Sequence, residues 1–331
     1  MKRMYSLIAI ILIFLGVAFV AERKQQAAQE KVPTVGVLQL LSHPALDAIN
    51  RGIDDSIKAH GYKPGKDIHI DFQNAQGDQS NLQSMSARFV NEHVNVAIGI
   101  ATPSGQALAN ATHKIPVVLG AVTNPEGAKL VKTNEHPGGN VTGVSDHPPL
   151  EKQLRLIKQL TPNLKTLGII YTSSDDSAAT QYRQFKALCE KQHIALKTYT
   201  IASTNDVNQV SQTMANEVDA VYVPTDNTIA SAMQTLVKNT NAKKIPVFPG
   251  ADTMVKQGGL ATYSINQYKL GRHTGDMAVA ILRHKAKPAN TPIDFVTDSD
   301  LTVNLKAAKE LGITVPQSLI NEASKKGELY K

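Results

Sequence analysis

Cysteine is almost absent: Cys189 stands alone in 331 residues, which excludes an internal disulfide framework and any cysteine-cluster metal site. Tryptophan is missing, and aromatic residues make up only 5% of the chain, so the interleaving of bases and aromatics by which single-strand nucleic-acid binders stack is not there. Catalytic signatures are equally scarce. There is no Gly-x-Ser-x-Gly elbow and no His-Glu-x-x-His; Gly138 to Gly143 lacks the lysine of a phosphate-binding loop, and Gly61 to Lys66 has the wrong spacing for one. The first strand-to-helix turn has no Gly-x-Gly-x-x-Gly, which argues against a dinucleotide enzyme. The histidines are dispersed, and His43, His136 and His147 stand beside or near proline in loop-like sequence, which reads as loop positions and not as metal or catalytic centres.

What is present is an ordinary globular composition, 42% hydrophobic and 19% charged with 21 Gly and 16 Pro, long enough for about two domains at roughly 150 residues each. Lys and Arg number 35 against 28 Asp and Glu, a net charge of +7; such an excess suits nucleic acid, an anionic membrane or a polyanionic wall, and its scatter along the chain speaks against nucleic acid. Lys2 and Arg3 precede an apolar run from Leu7 to Ala21, after which the chain turns polar at Glu22-Arg23-Lys24. That is the pattern of an export signal, between a cleavable h-region and a full membrane span in length. Gly16-Val17-Ala18 offers a small-x-small cleavage site, and no cysteine follows for lipidation, so the chain is not a lipoprotein. Basic residues before the run place the bulk of the protein outside. Residues 1–31 therefore read as signal peptide or membrane anchor plus tether, and function is to be sought from Val32 onward on the outer face of a membrane.

From Thr34 on, short β-rich runs alternate with longer amphipathic stretches, the signature of parallel βαβ units. Strands are expected at Val35–Leu38, Ile68–Phe72, Val94–Ile100 and Ile115–Leu119, with helices at Ala45–His60 and Asn81–Asn91. The series restarts with strands at Leu167–Tyr171, Leu196–Ile201, Ala220–Val223 and Ile245–Phe248 and helices at Ala178–Gln192 and Val207–Asn216. Leu301–Asn304 and Leu305–Leu311 add a late strand and helix. The halves also resemble each other in residues: Lys114-Ile115-Pro116-Val117 answers Lys244-Ile245-Pro246-Val247, and Thr34-Val35-Gly36-Val37 answers Thr166-Leu167-Gly168-Ile169. The fold expected is α/β, with two doubly wound parallel-sheet lobes of one topology. The first lobe takes residues 32–144 with part of about 267–290, and the second takes 145–266 with part of about 291–331.

Ligands of open parallel sheets sit beyond the carboxyl ends of the strands. There this sequence places Leu41-Ser42-His43, Thr102-Pro103-Ser104, Thr123-Asn124, Ser145-Asp146, Ser173-Ser174-Asp175, Thr225-Asp226-Asn227, Ala251-Asp252-Thr253 and Ser264-Ile265-Asn266. Each precedes a helical stretch. Singly, such residues are good helix caps; their recurrence after nearly every strand of both halves points to a cleft lined by helix starts, which receive anions well.

The segments His43–Asp47, Asn74–Asp78, Ala101–Ser104, Pro137–Asp146 (PGGNVTGVSD), Val223–Asn227 (VPTDN) and Leu270–Arg272 make the chain resemble the substrate-binding proteins of ABC importers, in particular the tryptophan/tyrosine-type group, from about Val32 to Ile320. PGGNVTGVSD and PTDN are the most specific of these. The resemblance implies a type I periplasmic-binding-protein-like fold that closes on a small solute, most simply an aromatic amino acid, and hands it to a membrane permease and its ATPase, with no cofactor and no catalysis. An amino acid needs an acceptor for its ammonium and donors for its carboxylate. Asp226 is the expected acceptor, and the Thr102 to Ser104 helix start supplies the expected donors. Thr123, Asn124, Ser145, Asp146, Ser174, Asn227 and Asn266 would complete the polar contacts, and Leu41, His43 or Tyr263 would line the side-chain pocket. Closure is expected about Val144-Ser145, Ile265-Asn266 and a third crossing near Ala289 to Ile293. The chain departs from the group at Ser177-Ala178 and at Ser264–Gln267, where Asn266 removes a charge partner. The rival readings are the ligand-binding ectodomain of a surface sensor and, further off, a two-domain α/β enzyme. Cys189 reads as packing, since nothing near it in sequence would hold a thiolate.

Overall fold

The computed structural model describes residues 32–331; the Leu7 to Ala21 run and the tether lie outside the described residues. The first lobe is built on a six-stranded sheet. β1 (Thr34–Gln39), β2 (His69–Asn74), β3 (Val96–Ile100), β4 (Val117–Gly120) and β5 (Val141–Ser145) run parallel, and the short β11 (Asp294–Phe295) adds to β5, giving the order β11-β5-β4-β3-β1-β2. The second lobe repeats the core of that pattern with β6 (Thr166–Thr172), β7 (Ala195–Ile201), β8 (Ala220–Val223) and β9 (Val247–Pro249) in the order β7-β6-β8-β9. Strand for strand this matches β2-β1-β3-β4, so the internal likeness read from the sequence is a likeness of topology. A separate three-stranded sheet of β10 (Ala261–Ile265), β12 (Ser299–Asn304) and β13 (Glu328–Tyr330) follows, with β10 and β12 antiparallel.

Each parallel sheet is covered on both faces, which is why β3 and β4 read as unbroken apolar runs and are buried at every residue. In the first lobe, α1 (Pro44–Ala59) and α10 (Gln267–Leu282) pack together with backbones nearly touching. A Cβ at Gly271 would lie 2.1 Å from the Ile49 carbonyl oxygen, and one at Gly52 would lie 2.3 Å from that of Tyr268; only glycine permits this approach. The first core gathers Val37, Ile49, Ile53, Ile98, Val118 and Leu270. On the second lobe, α4 (Leu150–Leu160) and α5 (Asp176–Lys191) cover one face, where Phe185 stacks on Tyr222 at 4.1 Å. Cys189 is buried in that core, where desolvation pushes its thiol up to about 12, as suits a packing residue. α6 (Val207–Met214), α7 (Asn227–Ser231) and α8 (Met233–Asn241) cover the other face around Ile170, Met214 and Met233.

The chain passes between the lobes after β5, between β10 and α10 at Asn266, and between β11 and β12. This last passage lies beyond the Ala289 to Ile293 stretch in which it was expected. Asp294 and Phe295 still pair with Val144 and Ser145, and Ile293 is buried in the first core. Among the described residues no helix is long and apolar enough to cross a membrane.

Candidate functional site

The carboxyl ends of the strands of both lobes face one cleft holding about 510 Å³ of empty space, its mouth included. The first lobe contributes His43 and Leu46 from the start of α1, Ala101, Thr102 and Pro103 from the start of α3 (Thr102–Ala111), Ala121 and Thr123 after β4, and Asp146 after β5. Across the gap stand Asp175 and Ser177 at the start of α5, Thr225, Asp226 and Asn227 at the start of α7, and Ala251 and Met254 around α9 (Asp252–Lys256). Gln267, the first residue of α10, closes the floor.

The helix starts on the two sides differ in how they are capped. Asp175 accepts from Ser177 N at 2.9 Å and Ala178 N at 3.1 Å through Oδ1, and so caps α5. Asp226 accepts from Ile229 N at 2.9 Å, capping α7, and also takes Thr172 N at 2.6 Å and Thr172 Oγ1 at 2.9 Å. On the first lobe α3 has no side-chain cap; its N-cap is Ala101, held at φ 76°. The helix start is pressed against β3, where a Cβ at Gly99 would lie 2.8 Å from Gly105 N. Peptide N–H groups at such an uncapped start are donors with a positive dipole end behind them.

Asp146, Asp175 and Asp226 thus stand around one cavity, and among the described residues none of them forms an ion pair with a Lys or Arg. Burial raises the pKa of Asp146, against the hydrogen bond it receives from Thr123 Oγ1 at 2.8 Å. Burial likewise raises Asp175, and the neighbouring carboxylates of Asp226 and Asp146 raise it further. Asp226 is raised by burial too, while its backbone and Thr172 donors hold it down. Among the described residues Asp175 Oδ2 and Asp146 Oδ2 receive no hydrogen bond from another residue, whereas both oxygens of Asp226 are engaged. Carboxyls crowded together in a largely enclosed cleft favour a cation among them. No cluster of His, Cys, Asp and Glu among the described residues is arranged to hold a metal ion.

Two polar contacts join the lobes across the cleft. His43 Nδ1 accepts from Ala45 N at 3.2 Å, which leaves Nε2 as the protonated nitrogen of the neutral ring, donating to Asn227 Oδ1 at 3.0 Å. Burial lowers the pKa of His43, against the pull of Asn227 and Asp47, so this neutral tautomer persists at neutral pH. Ser177 Oγ donates to Thr123 Oγ1 at 2.7 Å, and Gln181 in turn bridges Ser177 and Thr225.

Of the residues expected from sequence, His43, Thr102, Thr123, Asp146, Asp226 and Asn227 line the cleft. Five others do not. Ser104 is wholly buried with an unpartnered hydroxyl in the packing of α3 on β3, and Ser145 is buried donating to Thr123 O at 3.0 Å. Asn124 accepts from Gly127 N at 2.9 Å in a turn on a neighbouring groove. Ser174 is exposed, and Asn266 caps α10 through Lys269 N at 2.9 Å. Leu41 and Tyr263 also stay off the wall; Leu41 packs on the first core, and Tyr263 OH donates to Glu322 at 2.9 Å. Sequence reasoning did not select Asp175, Ser177, Thr225 or Gln267. Asp175 had a signal, as the acid immediately before a helical stretch.

Two doubly wound lobes around a cleft of helix starts define a solute-binding protein of the type I periplasmic-binding class. The sequence pattern described as "ABC transporter substrate binding protein" matches residues 34–326, and the chain belongs to that family. A "Tyrosine-binding protein" of Clostridioides difficile is 35% identical over 291 residues, covering 88% of this chain and 84% of the relative. A Streptococcus pneumoniae domain solved in complex with L-Trp is 46% identical and superposes with a TM-score of 0.86 over 90% of this chain and 99% of its own. The ligand-free, open structure of a Clostridium difficile substrate-binding protein with adhesive properties is 38% identical, with a TM-score of 0.70 over 91% of this chain and 99% of its own.

Proposed function

We propose that the protein captures an aromatic amino acid outside the cell and delivers it to an ABC permease and its ATPase. One observation carries this reading: the cleft sets the carboxyls of Asp175 and Asp226, with no Lys or Arg partner among the described residues, opposite an uncapped helix start beside which Asp146 stands, and these are the two ends an amino-acid zwitterion requires. In this account the ligand ammonium sits against the open oxygens of Asp146 and Asp175. Asp226 adds charge while holding the α7 cap, and the ligand carboxylate receives N–H groups at Thr102 and Ser104. The side chain fills the space left by Ala45, Leu46, Ala121, Ala230, Ala251 and Met254, beside the His43 ring. Small residues on that wall leave room for a large apolar group. The tyrosine-binding and L-Trp-bound relatives support the same ligand class.

The contacts His43–Asn227 and Thr123–Ser177 hold the lobes together, and the better match to the L-Trp complex than to the open relative supports reading this conformation as the closed one. The lobes are assigned as residues 32–146 with about 267–295, and 147–266 with about 296–331. Closure is a hinge motion at the passages between them, driven by ligand contacts to both sides. The N-terminal segment places the protein on the outer face of a membrane, as an uncleaved anchor or as a leader lost on secretion.

The test is a thermal scan of refolded protein against the twenty amino acids, nucleosides and sugars. A ligand in hundredfold excess over its dissociation constant adds about 2.7 kcal/mol. Tyrosine, tryptophan or phenylalanine should raise the midpoint and the rest should not. A shift with sugars or nucleosides alone would overturn the assignment.

A further inference from the structure

Gln181 stands one turn after Ser177 on α5, wholly buried and off the cleft wall, yet it touches both helix starts of the second lobe. Thr225 N donates to its Oε1 at 3.1 Å, which fixes the end of the amide that carries the nitrogen. Nε2 then donates to Thr225 Oγ1 and aims its other hydrogen at Ser177 Oγ, 3.5 Å away. The amide ties the start of α5 to the start of α7, the two places that bring Asp175 and Asp226 together although their carboxylates repel.

The ends of this set decide which way its hydrogens point. An amide NH2 has hydrogens to give and nothing to accept with; an ionised carboxylate is the reverse, and each hydroxyl between them has a single hydrogen. Ser177 Oγ meets Nε2 on one side, so its hydrogen goes to Thr123 Oγ1 at 2.7 Å. Thr123 accepts it and gives its own hydrogen to Asp146 Oδ1 at 2.8 Å. Hydrogen bonds aligned head to tail polarise and strengthen one another. Protonation of Asp146 at Oδ1 would oppose the chain, and protonation at Oδ2 would leave Thr123 donating to a weaker, neutral acceptor. Either way the chain favours the carboxylate. Gln181 and Ser177 belong to the second lobe, Thr123 and Asp146 to the first, so the series is complete only with the lobes together.

We propose that Gln181 is a positioning residue for ligand capture: it orients Ser177 so that closure completes a one-way relay through Thr123 onto Asp146, keeping that carboxyl ionised for the ligand ammonium. The inference rests on the reading of the cleft as an amino-acid site. The titratable groups that share the surroundings of Asp146 are Asp175 and Asp226 across the cleft, His43 at the start of α1 and His147 next in the chain. Burial favours a neutral Asp146, and the donor from Thr123 opposes it.

The test is calorimetric titration of refolded protein with L-tyrosine from pH 5 to 8, for the native chain, Ser177→Ala and Gln181→Met. Both substitutions break the relay before Thr123 and leave every carboxyl in place. The acid fall in affinity should move to higher pH by about half a unit to one unit in each, since an ordinary hydrogen bond shifts an equilibrium by up to about tenfold. The double variant should move no further than Ser177→Ala, because Gln181 acts through Ser177. Gln181→Met strands Thr225 N; Gln181→Glu keeps an acceptor for it and is the second variant, moving the midpoint the same way because an acceptor there draws the Ser177 hydrogen away from Thr123. A purely structural role would lower affinity by one factor at every pH and would add in the double variant. Parallel pH curves, additive losses, or a midpoint that moves in Ser177→Ala and in neither Gln181 variant would overturn the proposal and leave the amino-acid reading standing. A native chain that binds no tyrosine, tryptophan or phenylalanine at any pH would overturn both.

Discussion

The two lobes share a strand order and differ in what stands at the mouths of their helices. In the second lobe Asp175 and Asp226 spend part of their hydrogen-bonding capacity on the helices they begin, so the positive ends of those helices are matched by fixed negative charge. The first lobe leaves α3 with an alanine at the same place. A duplicated scaffold has thereby become polar across its cleft, with Asp175 and Asp226 on one side facing the uncapped start of α3 on the other, where Asp146 is the one carboxyl of the first lobe. On the proposed reading a zwitterion spanning the gap would touch both lobes, which would couple binding to closure.

The largest effect expected from breaking this arrangement is at Asp226. Asp226→Ala strands Thr172 N, Ile229 N and the Thr172 hydroxyl in a buried place; it should lower unfolding free energy by about 3 kcal/mol and abolish ligand binding, as read by denaturant titration and calorimetry. Asp175→Asn is gentler because asparagine still caps α5. It should leave the fold intact and weaken binding by about tenfold to a hundredfold, the usual range for a hydrogen bond to a charged group.

Acidity sharpens the same contrast. A carboxyl whose pKa is raised by folding holds its proton more tightly in the folded than in the unfolded chain. The unliganded protein should therefore lose stability as pH rises from about 4, the ordinary carboxylate value, through the raised values of Asp146, Asp175 and Asp226. Ligand affinity should run the other way and fall on acidification, as protons displace the ammonium. Midpoints with and without ligand, measured from pH 5 to 8, should draw closer together at the acid end.

Smaller effects are expected on the donor side. Ala101 sits at φ 76°, where a Cβ is strained, so Ala101→Gly should raise stability by about 1 kcal/mol and leave affinity nearly unchanged. Ser104→Ala removes a buried hydroxyl that has no partner and should change binding by less than a factor of two.

Much of the architecture was legible because the strands that begin each βαβ unit announce themselves as β-branched or apolar runs between turn residues. Ala220–Val223 and Leu305–Leu311 fall where the pattern places them. β13 was not read, for Glu328–Tyr330 is three residues whose strand character comes only from pairing with β12. α4, plain in its amphipathic LEKQLRLIKQL pattern, was passed over. The cleft was legible as a set of segments and less so as single residues. Within Ser173-Ser174-Asp175 the acid, not the exposed serine, turns toward the cavity. Ser145 and Ser104 sit on a strand and a helix turn that point them into packing. Which of several adjacent polar residues faces a ligand depends on strand phase and cap geometry, and a single sequence does not print these.

The most direct test of the divided site is calorimetric titration of refolded protein with L-tyrosine, with tyramine, which lacks the carboxylate, and with 3-(4-hydroxyphenyl)propionate, which lacks the ammonium. Tyrosine should bind, and each truncated compound should lose at least about tenfold in affinity, with the loss from removing the ammonium shrinking in Asp175→Asn. If the compound without an ammonium binds as tightly as tyrosine, the acidic side of the cleft does not hold the ligand and the account is contradicted.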